Sequence, residues 1–139
     1  MRVMVIVKAN GQTEAGALPS EEILTAMGKF NEELSRAGVL LAAEGLHPSA
    51  KGVRVRFGGG HTTVIDGPFN ETKELVGGFW LWQVKSIDEA IEWIRRSPFR
   101  SSSEELEIRR VFDAEDFGPA LTPELSAQQQ RRAERIARY

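Results

Sequence analysis

Phe79-Trp80-Leu81-Trp82 runs on through Gln83 and Val84 before the chain turns polar at Lys85. Large apolar side chains occupy odd and even positions alike, so a strand formed here is apolar on both faces. Residues 3–7, Val-Met-Val-Ile-Val, read the same way: a continuous, β-branched run bounded by Lys8 and the loop signals Asn10-Gly11. Strands apolar on both faces belong in the middle of a sheet, covered above and below. These two segments therefore predict a sheet whose centre they form.

The flanking segments supply the helices and the edges. Ser20 is an N-cap residue with Glu21 and Glu22 in the first turn, where a helix favours negative charge. Ile23, Met27, Phe30, Leu34 and Ala37 then recur at intervals of four and three on one helical face, and Gly38 ends the helix. Residues 39–46 form a second, mostly apolar strand closed by His47-Pro48-Ser49. Val53, Val55 and Phe57 alternate with Arg54 and Arg56, Gly58-Gly59-Gly60 turns the chain, and residues 62–66 return, predicting a hairpin with one apolar and one polar face. Asp66-Gly67-Pro68-Phe69 is a turn. Ser86-Ile87-Asp88-Glu89 starts a second helix as a capping box, Ile87, Ala90, Ile91 and Ile94 make its buried stripe, and Pro98 stops it. Leu106 and Ile108 alternate with Glu107 and Arg109 in a last strand.

Strand, helix, strand, hairpin, strand, helix, strand contains two βαβ halves and predicts an α+β sandwich of ferredoxin-like type over residues 1–120. Residues 121–139 form a helical tail opened by Thr122-Pro123-Glu124, with few apolar anchors and a net charge of +2. With both helices on one side, the other face of the sheet is left bare. It carries either the Trp80/Trp82 pair or Phe79 and Leu81, an area rarely left to water. A second copy packed sheet to sheet covers it, giving a C2 homodimer shaped as a dimeric α+β barrel. The other cover is the tail folding back, which its low apolar content disfavours.

Composition narrows the chemistry. In 139 residues, 41% are hydrophobic and 27% charged, the balance of a globular protein, and a chain of this length buries a core without disulfides. The sequence holds no cysteine and two histidines, which excludes thiolate metal sites and cysteine nucleophiles and leaves no metal or cofactor to expect. A net charge of −2 gives no reason to expect nucleic acid. No apolar run is long enough for a bilayer and the first residues lack a signal-peptide pattern, so a cytoplasmic protein without a membrane partner is the expectation.

Few side chains are placed for chemistry. Asp66 either caps its turn or acts as a general base, and His47 is the favoured proton-transfer partner because imidazole changes charge near neutrality. His61, beside three glycines, reads as solvated. Glu71, Lys73 and Glu74 form either a charged pocket rim for a polar ligand or a solvated loop. Glu107 and Arg109, two apart in a strand, share a face. Turned inward, they either form a buried ion pair with Arg54 or Arg56 or orient a small polar or anionic ligand. Trp80 and Trp82 line a cavity or pack the core.

The run Asp66-Gly67-Pro68-Phe69-Asn70-Glu71-Thr72-Lys73-Glu74, followed by Gly77-Gly78-Phe79, resembles the DGPF branch of the YciI-like, or YCII-related, family. The segments Ala43-Glu44-Gly45-Leu46-His47-Pro48-Ser49, Ser86 to Trp93, Glu107-Ile108-Arg109 and Phe117-Gly118 to Leu125 extend the resemblance over nearly the whole chain. It implies a dimeric α+β barrel with an inter-sheet cleft in a bacterial cytoplasmic protein, and in some members a His/Asp pair lines that cleft. That histidine lies in the first helix, whereas residues 20–37 here contain none, and Arg110 stands where the branch usually has proline. Together with the bare apolar face, the resemblance points to acid–base chemistry of isomerase or lyase type, and the reading of the residues themselves, not the family dyad, offers Asp66 and His47 for proton transfer and Glu107 and Arg109 for orienting. The alternative is a non-catalytic regulatory or protein-interaction module linked to a transcription regulator, since members are often encoded near such regulators.

Overall fold

A computed structural model of the chain describes residues 1–71, 74–99 and 104–137. Its elements follow in the order β1 (Arg2–Lys8), α1 (Gly11–Glu14), α2 (Glu21–Arg36), β2 (Leu40–Gly45), β3 (Val53–Gly58), β4 (His61–Asp66), β5 (Val76–Gln83), α3 (Ile87–Arg95), β6 (Leu106–Arg110) and α4 (Pro123–Ala137). Four strands make one sheet in the order β2-β5-β1-β6, with every neighbouring pair antiparallel, and β3 and β4 form a separate hairpin. This is the ferredoxin-like α+β arrangement, and the two segments apolar on both faces lie at its centre.

Local chemistry sets the helices. The Ser20 hydroxyl accepts from the Ile23 amide at 3.2 Å, and the helix ends at Gly38, whose φ of 73° suits a residue without a side chain. The Ser86 hydroxyl likewise accepts from the Glu89 amide at 3.1 Å. The buried stripe of α2 is shorter than its periodicity suggests: Phe30 and Leu34 are buried, whereas Ile23 projects beyond the sheet and stays 47% exposed. The four-residue α1, capped by Asn10, falls where the sequence reads as loop; Asn10 Oδ1 accepts from the Thr13 amide at 2.9 Å.

Alternation decides what each sheet face does. Val3, Val5, Trp80 and Trp82 point toward α2 and α3 and pack with Phe30, Leu34 and Ala90 into one core. Phe30 meets Trp80 edge to face at 5.7 Å and Trp82 at 6.4 Å. The tryptophan pair is therefore core. Met4, Ile6, Phe79 and Leu81 lie on the opposite, helix-free face, together with Glu107 and Arg109, which the register sets across from Ile6 and Met4. α4 runs beside that face: its Gln129 and Arg132 line a cavity together with Met4 and Ile6.

In the hairpin the apolar face is the uncovered one. Val53, Val55, Phe57 and Val64 are 51–82% exposed, whereas Ile65, opposite Arg54 on the other face, is half-buried. Leu34 sits at the bottom of the α2–sheet contact with no exposed surface. Replacing it with alanine removes a buried isobutyl group and leaves a cavity, so Leu34→Ala lowers the unfolding free energy by about 2–5 kcal/mol. Urea denaturation with an unchanged m-value checks this.

Candidate functional site

The turn that follows β2 is the hub of a polar network. The Ser49 amide donates to Glu14 Oε1 at 2.9 Å and its hydroxyl donates to Glu14 Oε2 at 2.5 Å, while the Phe69 amide donates to Ser49 Oγ at 3.0 Å. One serine thus joins α1, the β2 exit and the turn after β4. Gly67 closes the assembly: its amide donates to the Gly52 carbonyl at 3.0 Å, and a Cβ there would overlap the Ser49 carbonyl oxygen. The Asp66-Gly67-Pro68-Phe69 turn, which contains a cis Gly67–Pro68 peptide, is how the hairpin docks on the body.

Above this hub lies an open cavity of about 410 Å³ with His47, Glu14, Ser49 and Arg54 in its lining and Leu46, Val76 and Phe69 among its apolar walls. The Arg54 guanidinium lies over the Phe69 ring, 3.8 Å from its centre, and is 3.6 Å from a Glu71 carboxylate oxygen. Arg54 is therefore oriented before any ligand arrives. His47 is exposed at the edge, with its imidazole accessible to a ligand. Across the bond from the Leu46 amide to the Gly77 carbonyl, 2.9 Å, lies a smaller cavity of about 250 Å³. There the Trp80 indole donates to Asn31 Oδ1 at 2.8 Å among Met27, Phe99 and the Gly77-Gly78 backbone. Gly78 lets β2 approach closely, since a Cβ would stand 2.9 Å from the Glu44 carbonyl oxygen.

The residues singled out by sequence occupy three places. His47 and Glu71 meet at the cavity, the glutamate through Arg54. Asp66 is exposed and opposes Val53, so it belongs to the apolar hairpin face, opposite that of Arg54. Lys73 lies outside the described residues. Glu107 and Arg109 do share the helix-free face, but they are not buried partners of Arg54 or Arg56: Glu107 pairs with Lys8 at 3.2 Å and stands 3.9 Å from Arg109. Lys8 follows Ile6 on the same face of β1, and the β1–β6 register brings it within reach. His61 is exposed at the hairpin tip.

The sequence reading gives Glu14, Ser49 and Asn31 no functional role, and Arg54 enters it only as an ion-pair partner for Glu107 and Arg109. Asn31 carried a signal, standing four residues after Met27 inside the apolar stripe of α2. Among the described residues, no group of three or more histidine, aspartate or glutamate side chains is placed to hold a metal ion, and no helix is long and apolar enough to cross a membrane.

A ferredoxin-like α+β domain with a polar-lined cavity at the exit of its edge strand is the class these features define. The chain belongs to the YCII-related domain family, whose model matches residues 1–115. An uncharacterized protein of Rhizobium meliloti (strain 1021) is 35% identical over 75 residues, 54% of this chain, and the match spans 60% of that protein's length. Among solved structures, 5-chloro-2-hydroxyhydroquinone dehydrochlorinase from Burkholderia phenoliruptrix AC1100, in complex with 2,5-dihydroxybenzoquinone, aligns with a TM-score of 0.48 at 14% identity over 84% of this chain and 98% of that one.

The glycine of the docking turn is the test of the hub. Gly67→Ala forces the hairpin off Ser49, at about 1–3 kcal/mol for overpacking. The variant should melt several degrees lower, and hydrogen exchange should show loosening at Ser49 and Phe69 while the β1–β5 amides stay protected.

Proposed function

We propose that the protein is a small-molecule-binding homodimer that carries out acid–base chemistry of isomerase or lyase type in the His47 cavity. The observation that supports this reading is that His47 and the pre-oriented Arg54 line one cavity together with the apolar side chains of Leu46, Phe69, Leu75 and Val76. The substrate class is a small, flat compound bearing an enolate, phenolate or carboxylate. Arg54 holds the oxyanion, Phe69 and Val76 pack the ring, and His47 takes a proton from an adjacent carbon or hydroxyl and returns it elsewhere on the molecule. Glu14 is bound twice by Ser49 and serves as a strut that keeps the cavity floor in place. Glu71 keeps Arg54 in register.

The homodimer covers what the chain alone, with α4 beside Met4 and Ile6, leaves partly exposed. A second copy laid on the helix-free face buries Phe79 and Leu81, and Asp66, with Val55 and Val64 on the uncovered hairpin face, lies outside the His47 cavity.

Incubation in deuterium oxide with a panel of small ring enols and hydroxybenzoates, followed by proton NMR, is the direct experiment. Exchange catalysed by the wild-type protein and lost by at least about a hundredfold in His47→Asn fits the reading, since general acid–base groups contribute that much or more. Equal exchange in both proteins would remove His47 from the chemistry. For the assembly, sedimentation equilibrium should give about twice the chain mass of 15.5 kDa, and Leu81→Glu should sediment as a folded monomer. A Leu81→Glu protein that remains dimeric would place the contact elsewhere.

A further inference from the structure

Beside the helix-free face, α4 and the β6 exit enclose a second polar cavity, of about 500 Å³, which shares no lining residue with that of His47. Met4 and Ile6 are part of its floor. Four guanidinium groups line it, those of Arg2, Arg109, Arg110 and Arg132, and no carboxylate does. Acidic residues stand behind the arginines: Asp113 is 3.6 Å from Arg2 and 3.8 Å from Arg110, Asp116 is 3.7 Å from Arg110, and Glu107 is 3.9 Å from Arg109. These separations exceed hydrogen-bond length, so the acids offset part of the charge without taking the N–H donors, although Arg2 gives one N–H to the Phe112 carbonyl at 3.0 Å. One wall is a stacked pair of rings, Phe112 and Phe117, 4.9 Å apart and 62% and 44% exposed.

The helix that closes the cavity is built wrongly for mere coverage. α4 presents Gln129 and Arg132 toward Met4 and Ile6, where a helix placed to hide an apolar face would present leucines. Guanidinium donors beside an apolar floor and an uncovered aromatic wall match a ligand that is both anionic and flat. We infer that this cavity binds a small organic anion, a carboxylate or phosphate carried on a planar apolar body, with the head group between Arg109 and Arg132 and the ring against Phe112 and Phe117. Phe117, Gln129 and Arg132 lie beyond residues 1–115 matched by the family model, and the rest of the lining lies within them. The site is formed within one chain and does not depend on the acid–base reading of the His47 cavity.

Isothermal titration of the full-length protein with phthalate, phenyl phosphate, benzyl alcohol and inorganic phosphate tests the site. At least one aromatic anion should bind with a Kd below about 1 mM, benzyl alcohol and inorganic phosphate at least about tenfold more weakly, and the tighter of the two aromatic anions identifies the head group. Arg132→Ala and Arg109→Ala should each weaken binding about tenfold, the loss of one charge-assisted hydrogen bond. Arg131→Ala removes the same charge from the same helix at a position outside the cavity lining and should leave binding unchanged. Four results would overturn the proposal: no aromatic anion binding, an Arg132→Ala protein that binds as the wild type does, equal losses in Arg131→Ala and Arg132→Ala, or a single-stranded oligonucleotide that binds more tightly than the aromatic anions with the same arginine dependence. The last two would mark a diffuse basic surface instead of a built cavity.

Discussion

Everything else in the molecule follows from the burial of Val3, Val5, Trp80 and Trp82 against Phe30 and Leu34. Because successive strand residues point to opposite sides, committing these four to the helices commits Met4, Ile6, Phe79 and Leu81 to the other side. The two tryptophans dominate that choice, since each buries more apolar area than any other side chain in the sheet. Reversing the faces would put both indoles outside and leave α2 and α3 with smaller partners. The open face is thus a consequence of the core, and both proposed assemblies, the dimer contact and the anion cavity, are ways of completing it.

Sequence reading recovers this part well because its signals are local and redundant. Two runs apolar on both faces, two capped amphipathic helices and a glycine-closed hairpin each have a period or a cap that points one way. The structure adds what no period contains. Which face of the hairpin is covered depends on tertiary contacts: Arg54, polar by composition, reaches Phe69 and Glu71 and turns its face toward the body, while Val55 and Val64 are left outside. An alternating strand shows that its faces differ, but not which of them meets the protein.

The site was legible in the same uneven way. His47 and Glu71 stand out as chemistry in a turn-rich region, and the structure puts His47 in the cavity lining and Glu71 beside the lining residue Arg54. Glu14 did not, because its role comes from Ser49, which is 35 residues away in sequence. The sequence puts Glu107 and Arg109 on one face without deciding which; the register makes it the helix-free one and gives Glu107 the partner Lys8. Ion-pair partners are properties of register and packing, and a single strand's pattern is silent on both.

The Asp66-Gly67-Pro68-Phe69 turn shows why a distinctive motif need not be a catalytic one. Its glycine meets the Ser49 carbonyl at a distance no side chain tolerates, and its phenylalanine gives an amide to Ser49 and a ring to Arg54. Each of these contacts constrains residue type as tightly as catalysis would, so docking alone explains Gly67 and Phe69. Aspartate is the member that docking leaves over, since its side chain belongs to the uncovered face. Asp66 thus stands apart from the His47 cavity, and the part of the motif that the structure accounts for is the part that docks the hairpin.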